Sequence, residues 1–182
     1  MAEYVAAIAP RVRELLPDAT IAVEPGRSLV ARSGIALYRV ADRAERPSGR
    51  AFVAVDGGMG DNIRPTLYGA RYEAILASRA NEPADERVAI AGAYCEAGDV
   101  LIDSALLPRA RPGDLVAVPA VGAYAVAMAS NYNHRPRPAV VLIDRGRATL
   151  IRRRERTNDL FRLERATTSR GAARAGRGSR AR

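Results

Sequence analysis

The sequence predicts a mainly β fold: a β-barrel or sandwich domain, preceded by one helix and one buried strand of the kind that closes an α/β barrel. Three observations predict it. Short runs rich in Val, Ile, Leu and Tyr recur between Ser28 and Arg153, punctuated by Gly, Pro and Asp. Helical patterning is confined to residues 2–16 and to two brief stretches at 122–130 and 154–165. With 182 residues, 48% hydrophobic, 5% aromatic and without Trp, the chain can hold one domain whose core is Ala, Val, Leu and Ile.

Residues 2–16 read as a helix because Tyr4, Val5, Ile8, Val12, Leu15 and Leu16 recur at spacings of three and four, with Arg11, Arg13 and Glu14 opposite them. Pro17 and Asp18 end it, and the apolar run Ala19–Val23 reads as a buried strand opening into Glu24-Pro25-Gly26-Arg27. Functional residues sit at the C-terminal ends of such strands. Strands are predicted over 28–40 and 51–55, with a turn between them at Asp42–Gly49 and a glycine-rich loop at Asp56–Asn62. Further strands are predicted over 87–93, 100–107, 115–118, 139–144 and 147–153. Pro112-Gly113-Asp114 is a turn, since Pro presets φ and Gly relaxes it. A short helix is expected at 122–130 and a terminal one at 154–165, using Leu160, Phe161 and Leu163. Residues 166–182 contain only Gly, Ala, Ser, Thr and Arg, and are expected to be disordered. The expected domains are therefore 1–27, 28–153, and a basic tail over 154–182.

Charge narrows the function. Residues 1–150 hold 18 Arg against 17 acidic residues, whereas 151–182 hold 11 Arg against 3, so nearly all of the net +9 lies in the tail. A nucleic-acid-binding fold would carry its basic patch on the body, and a nucleic-acid partner is not expected. All 29 basic residues are Arg, so no ε-amine is available for covalent cofactor attachment. One Cys and one His exclude an intrachain disulfide and a His-based metal triad, so no metal is expected and a reducing cytoplasm fits. There is no basic segment ahead of an apolar one at the N-terminus and no apolar stretch near the ~20 residues of a membrane span, so no membrane partner is expected.

Four segments carry candidate chemistry: Glu24–Arg27, Asp61–Tyr68, Gly92–Asp99, and Gly122-Ala123-Tyr124 running on to Asn131-Tyr132-Asn133 and Arg135–Pro138. Following a strand, the backbone N–H groups of Glu24-Pro25-Gly26-Arg27 and the Arg27 guanidinium suit a dianionic phosphate. The plainer alternative is a turn with an exposed ion pair. Cys95 alone could be an inert small hydrophobe, but Glu96 and Asp99 make its segment polar. Tyr124 alone could be a core tyrosine with its hydroxyl at the edge.

Together, in this order and over roughly residues 3–150, the segments resemble the diaminopimelate decarboxylases, pyridoxal 5′-phosphate (PLP) enzymes with an alanine-racemase-like fold. The resemblance covers their C-terminal part only. It implies that Glu24, Pro25, Gly26, Arg27 and Tyr124 contact the cofactor, and that Arg27, Arg64, Tyr68, Glu96 and Tyr124 contact substrate. It assigns Cys95 as the catalytic acid that returns a proton to the carbon that has lost CO2, a task open to a thiol of pKa ~8.5. Ala97 stands where the family usually has Ser, which removes one hydrogen bond. His134 has no role by this resemblance and reads as a surface loop residue.

The implied reaction converts meso-diaminopimelate to L-lysine and CO2 in lysine biosynthesis. Its substrate ends in a second amino acid centre, and Arg64 and Glu96 supply a cation and an anion for it. The resemblance also implies a homodimer with an active site shared across the interface. The barrel of these enzymes, with its PLP lysine, is missing here. The chain is therefore expected to be a fragment, a gene remnant or half of a split enzyme with a separate barrel chain, inactive alone. Two other readings are an ornithine- or arginine-type decarboxylase fragment, which has no use for Arg64, and a non-enzymatic remnant whose Arg tail binds a polyanion in a salt-dependent way.

Overall fold

A computed structural model describes residues 2–47 and 49–165. The chain divides into two compact units, residues 1–137 and 138–182.

The first unit is built on a six-stranded sheet of order β3-β6-β1-β2-β4-β5, formed by β1 (Ile35–Glu45), β2 (Ala51–Val55), β3 (Ile75–Leu76), β4 (Glu86–Ala91), β5 (Val100–Leu107) and β6 (Leu115–Pro119). All neighbours are antiparallel except β2 and β4. The mainly β expectation therefore holds, in a sheet that ends at β3 and β5. Register explains the core. Leu76 pairs with Val116, which pairs with Tyr38, and Val53 pairs with Ile90, which pairs with Ile102. All six are buried. Rows of β-branched and aliphatic side chains on one face are what hold such a sheet. A bulge between Val40 and Asp42 brings Arg43 opposite Val53. Its guanidinium reaches Glu86 and Glu45.

Helices α1 (Ala2–Leu15), α2 (Arg27–Val30), α3 (Arg64–Tyr68) and α4 (Ala125–Met128) complete this unit. The second unit holds the hairpin of β7 (Val140–Asp144) and β8 (Arg147–Arg152), and the single turn α5 (Thr157–Leu160).

The structure corrects several expectations. Ala19–Val23 is not a strand: no ladder partner pairs with it among the described residues, and Val23 is 43% exposed. An apolar run becomes a strand only where a neighbour takes up its N–H and C=O groups. Residues 28–33 are helical rather than β. The bonds Leu29 N–H to Gly26 O, Ser33 Oγ to Val30 O and Gly34 N–H to Ala31 O close local turns there before β1 begins. The turn expected from Asp42 starts only at Arg46, whose N–H donates to Arg50 O at 2.9 Å. The helix expected at 122–130 is confined to α4. The one expected at 154–165 is confined to α5, with Phe161 and Leu163 exposed. The 3-10 turns, α3 and β3 lacked a periodic signal in the sequence. The disorder expected for 166–182 lies outside the described residues.

Two contacts outside the strands fix the unit. Val121 N–H donates to Gly34 O and Gly122 N–H to Ala31 O, so two backbone segments touch. A Cβ on Gly122 would lie 2.0 Å from the Val30 carbonyl oxygen, which no side chain tolerates. Asp114, at the Pro112-Gly113-Asp114 turn, accepts from Arg79 Nη2 (2.7 Å), Arg111 N–H (2.8 Å) and Ser78 Oγ (2.9 Å). The Arg79 guanidinium holds its carboxyl below the usual carboxylate range.

Gly122→Ala is expected to lower the unfolding free energy by about 1–3 kcal/mol, measured by urea denaturation; an unchanged midpoint refutes the contact. Asp114 is depressed in the folded state, so its contribution is fully present above the unfolded carboxylate's pKa of ~4 and is lost as pH falls through the lower folded value. Asp114→Asn should therefore flatten part of the acid limb of a stability-versus-pH curve. An identical acid limb in variant and wild type contradicts this.

Candidate active site

The Gly34–Gly122 approach brings the Glu24–Arg27 segment to the 120–124 segment. Glu24 is exposed, Pro25 half-buried, and Gly26 precedes α2. A Cβ on Gly26 would lie 2.2 Å from the Tyr124 hydroxyl, so that hydroxyl occupies the space a side chain would need. Tyr124 is held in the left-handed region at φ 68° and is 45% exposed. Arg27 donates from Nη2 to Ala120 O at 3.1 Å and lies over the Tyr72 ring, 5.8 Å from its centroid. Its Nη1 and the Tyr72 hydroxyl are both buried without a hydrogen-bond partner. A desolvated guanidinium N–H left unpaired is unfavourable by about 1–3 kcal/mol until an acceptor arrives.

Arg64 opens α3, directly after the glycine-rich loop. Its guanidinium lies over two rings, 5.3 Å from the Tyr68 centroid and 5.7 Å from that of Tyr124, and its Nε is also buried without a partner. Arg64 therefore lies over the Tyr124 ring, while Arg27 lies over Tyr72 and follows Gly26, against which the Tyr124 hydroxyl rests. Tyr68 is exposed.

The 92–99 loop is organised by a buried carboxylate. Asp99 accepts from Met59 N–H at 2.6 Å and from Tyr94 N–H at 2.8 Å. A Cβ on Gly58 or Gly92 would come within 2.4 or 2.2 Å of its oxygens, so this clamp requires both glycines. Ala93 N–H donates to Gly57 O, and Thr66 Oγ1 donates to Gly98 O at 2.8 Å. The loop is thus tied both to the glycine-rich loop and to the helix that carries Arg64. At its tip Cys95 takes φ 51° and is an exposed free thiol. Glu96, also exposed, accepts from the Tyr132 hydroxyl at 3.1 Å. This bond, and then the charge of Glu96, raise the Tyr132 phenol above its ordinary value. Tyr94 is buried, and desolvation pushes its hydroxyl up to about 12.

The structure thus brings Gly26 against the Tyr124 hydroxyl and Arg64 over the rings of Tyr68 and Tyr124, leaves Arg27 over Tyr72, and sets Cys95 and Glu96 together on a separate loop tip. No ion pair joins Arg64 to Glu96 among the described residues; Glu96 is held by Tyr132 instead. His134 lies exposed in a 3-10 turn. Tyr72, Thr66, Asp99 and Tyr132 had no assigned role in the sequence. Thr66, Asp99 and Tyr132 do lie within the segments singled out there, and only their contacts reveal what they do. A shallow depression of about 430 Å³ lined by Glu45, Asp85, Glu86, Arg87 and Arg109 shares no residue with these segments.

Residues 10–122 match the family model described as pyridoxal-dependent decarboxylase, C-terminal sheet domain. The diaminopimelate decarboxylase of Bacillus subtilis is 48% identical over 169 residues, 89% of this chain and 38% of that protein. The crystal structure of diaminopimelate decarboxylase from Helicobacter pylori complexed with L-lysine is similar with a TM-score of 0.76 and 36% identity, over 88% of this chain and 39% of that one. Less similar is the lysine/ornithine decarboxylase of Vibrio vulnificus complexed with putrescine. Its TM-score is 0.58 at 28% identity, over 71% of this chain and 36% of that one. The chain therefore spans under two fifths of the length of these relatives.

Asp99→Asn keeps the shape of the clamp but removes its charge and turns one acceptor into a donor facing an N–H. It is expected to destabilise the chain by about 1–3 kcal/mol and to change the iodoacetamide reactivity of Cys95 in the folded state. Because Cys95 is the sole thiol, its alkylation rate reports on this loop alone. Wild-type values of both quantities refute the clamp.

Proposed function

The chain belongs to the pyridoxal-dependent decarboxylases, as their C-terminal sheet domain, and we propose that it is the substrate-gripping part of a diaminopimelate decarboxylase. The reaction is the loss of CO2 from meso-diaminopimelate to give L-lysine. One observation carries the reading: two arginines, Arg27 next in sequence to the Gly26 that meets the Tyr124 hydroxyl and Arg64 over the Tyr124 ring, each keep a buried unpartnered N–H. Such donors call for anions, and the proposed complex has two, a phosphate and a carboxylate.

The residues around Gly26 fit the phosphate end of PLP. Arg27 has a free donor, the Tyr124 hydroxyl lies against Gly26, and Tyr72 adds a second unpartnered hydroxyl. Glu24 and Pro25 set the entry of the chain into this cradle. Covalent attachment rests on a lysine outside these 182 residues, because the chain has none. PLP, when bound, supplies the electron sink for the pair released as CO2 leaves. The task of the chain is to bind, orient and reprotonate.

Arg64 offers a planar fork to the distal carboxylate of the substrate, with Tyr68 as the wall beside it. Glu96 offers an anion to the distal ammonium, and the exposed Cys95 thiol holds the proton to be returned. Cys95 and Glu96 stand on their own loop tip, and we read them as serving the site of a second copy in a homodimer. The lone thiol supports a cytoplasmic setting. Among the described residues no helix is long and apolar enough to cross a membrane. An ornithine or lysine decarboxylase is the second reading, and Arg64 argues against it, since a bare distal ammonium gives a guanidinium nothing to bind.

The test is CO2 release by this chain completed with a PLP-loaded, lysine-bearing barrel half. Diaminopimelate should be the preferred substrate, and Arg64→Ala should raise its KM on the order of a hundredfold. The 182-residue chain alone should release none. Faster turnover of ornithine than of diaminopimelate overturns the reading.

A further inference from the structure

We propose that Tyr132 is a positioning residue that fixes the direction of the Glu96 carboxylate, and so sets selectivity for ligands carrying an ammonium at their distal end. The proposal rests on the reading just given and deepens it.

Glu96 is an exposed side chain next to a residue at positive φ, and left to itself it would sample many rotamers. The Tyr132 hydroxyl donates to its Oε2, which leaves Oε1 without a partner among the described residues and open to a cation. A donor can orient an acceptor only if it is itself held, and Tyr132 is held from several sides. Its ring stacks on that of Tyr94, with centroids 6.3 Å apart and planes 16° apart. Tyr94 is 2% exposed, so this platform does not move with solvent. On either side of Tyr132, Asn133 Nδ2 donates to Tyr94 O and Asn131 Nδ2 to Arg135 O. Arg135 lies over the Tyr94 ring and donates to Asp56 O at 2.9 Å, while Ser130 N–H donates to Gly60 O.

The 130–135 loop is therefore bolted to the glycine-rich loop and to Tyr94, and its hydroxyl arrives at Glu96 from a fixed direction. The carboxylate of Glu96 has one oxygen held by protein and one available to ligand. This is the arrangement that separates an oriented anion from a merely solvated one.

Tyr132→Phe tests this, because it removes the hydroxyl and keeps the stacked ring. The first arm uses the chain alone. The difference in phenolate titration between wild type and Tyr132→Phe should show a phenol ionising above the ordinary ~10, and Glu96→Gln should bring it back. An unshifted phenol overturns the proposal whatever the activity. The second arm uses the assembly completed with the barrel half. There Tyr132→Phe should raise the KM for meso-diaminopimelate roughly tenfold, with kcat within about twofold. The double variant with Glu96→Gln should be no worse than Glu96→Gln alone. A loss confined to kcat, or additive losses, overturns the proposal. An unmutated assembly that releases no CO2 from diaminopimelate overturns the reading of the preceding section and withdraws the ligand named here, while the titration still decides whether Tyr132 holds Glu96.

Discussion

The site depends on one buried carboxylate. Asp99 fills the space left by two missing side chains, at Gly58 and Gly92, and accepts N–H bonds from Met59 and Tyr94. A charge taken out of water persists only when backbone donors replace the water. Here those donors belong to two different loops, so satisfying Asp99 also joins them. One loop leads into the helix carrying Arg64; the other carries Cys95 and Glu96. Thr66 adds a second tie between that helix and that loop. The spacing of the proposed cationic and anionic poles is thus set by backbone hydrogen bonds rather than by contact between the charged side chains.

The same economy appears at the other edge of the site. Gly122 and Gly34 let two backbones touch, and that contact sets Arg27 beside Ala120 and the Tyr124 hydroxyl against Gly26. The two arginines there are buried enough to be desolvated yet not fully paired. A binding site for anions needs this state: a fully paired arginine has nothing to offer, and a fully solvated one gains little from a ligand. The net charge of the chain plays no part in this, since the body is nearly neutral and the excess Arg lies beyond residue 150.

Much of the sheet was legible in the sequence. Val100–Leu107 is a strand with the expected bounds, because turn residues flank a run whose aliphatic side chains are largely buried. Ala19–Val23 has the same apolar texture and forms no strand, since β structure is a property of pairs and nothing pairs with it among the described residues. The site followed the same division. Arg27, Arg64, Cys95, Glu96 and Tyr124 were visible as residue types within their segments. The roles of Thr66 and Tyr132 rest on bonds spanning 32 and 36 residues, which no local pattern announces.

What the sequence determined by itself was composition and order: an aliphatic core, a body without excess charge, no lysine, a single thiol, and four segments that resemble those of one enzyme family. Only the tertiary structure decided which of these residues meet. It put Arg64 over the Tyr124 ring and Arg27 over that of Tyr72, gave Glu96 to Tyr132 instead of Arg64, and made Asp99 the tie between loops. The physical reason is that these contacts are set by close backbone approaches and by the satisfaction of buried polar groups. Both depend on the packing of distant segments, and no local window of residues contains them.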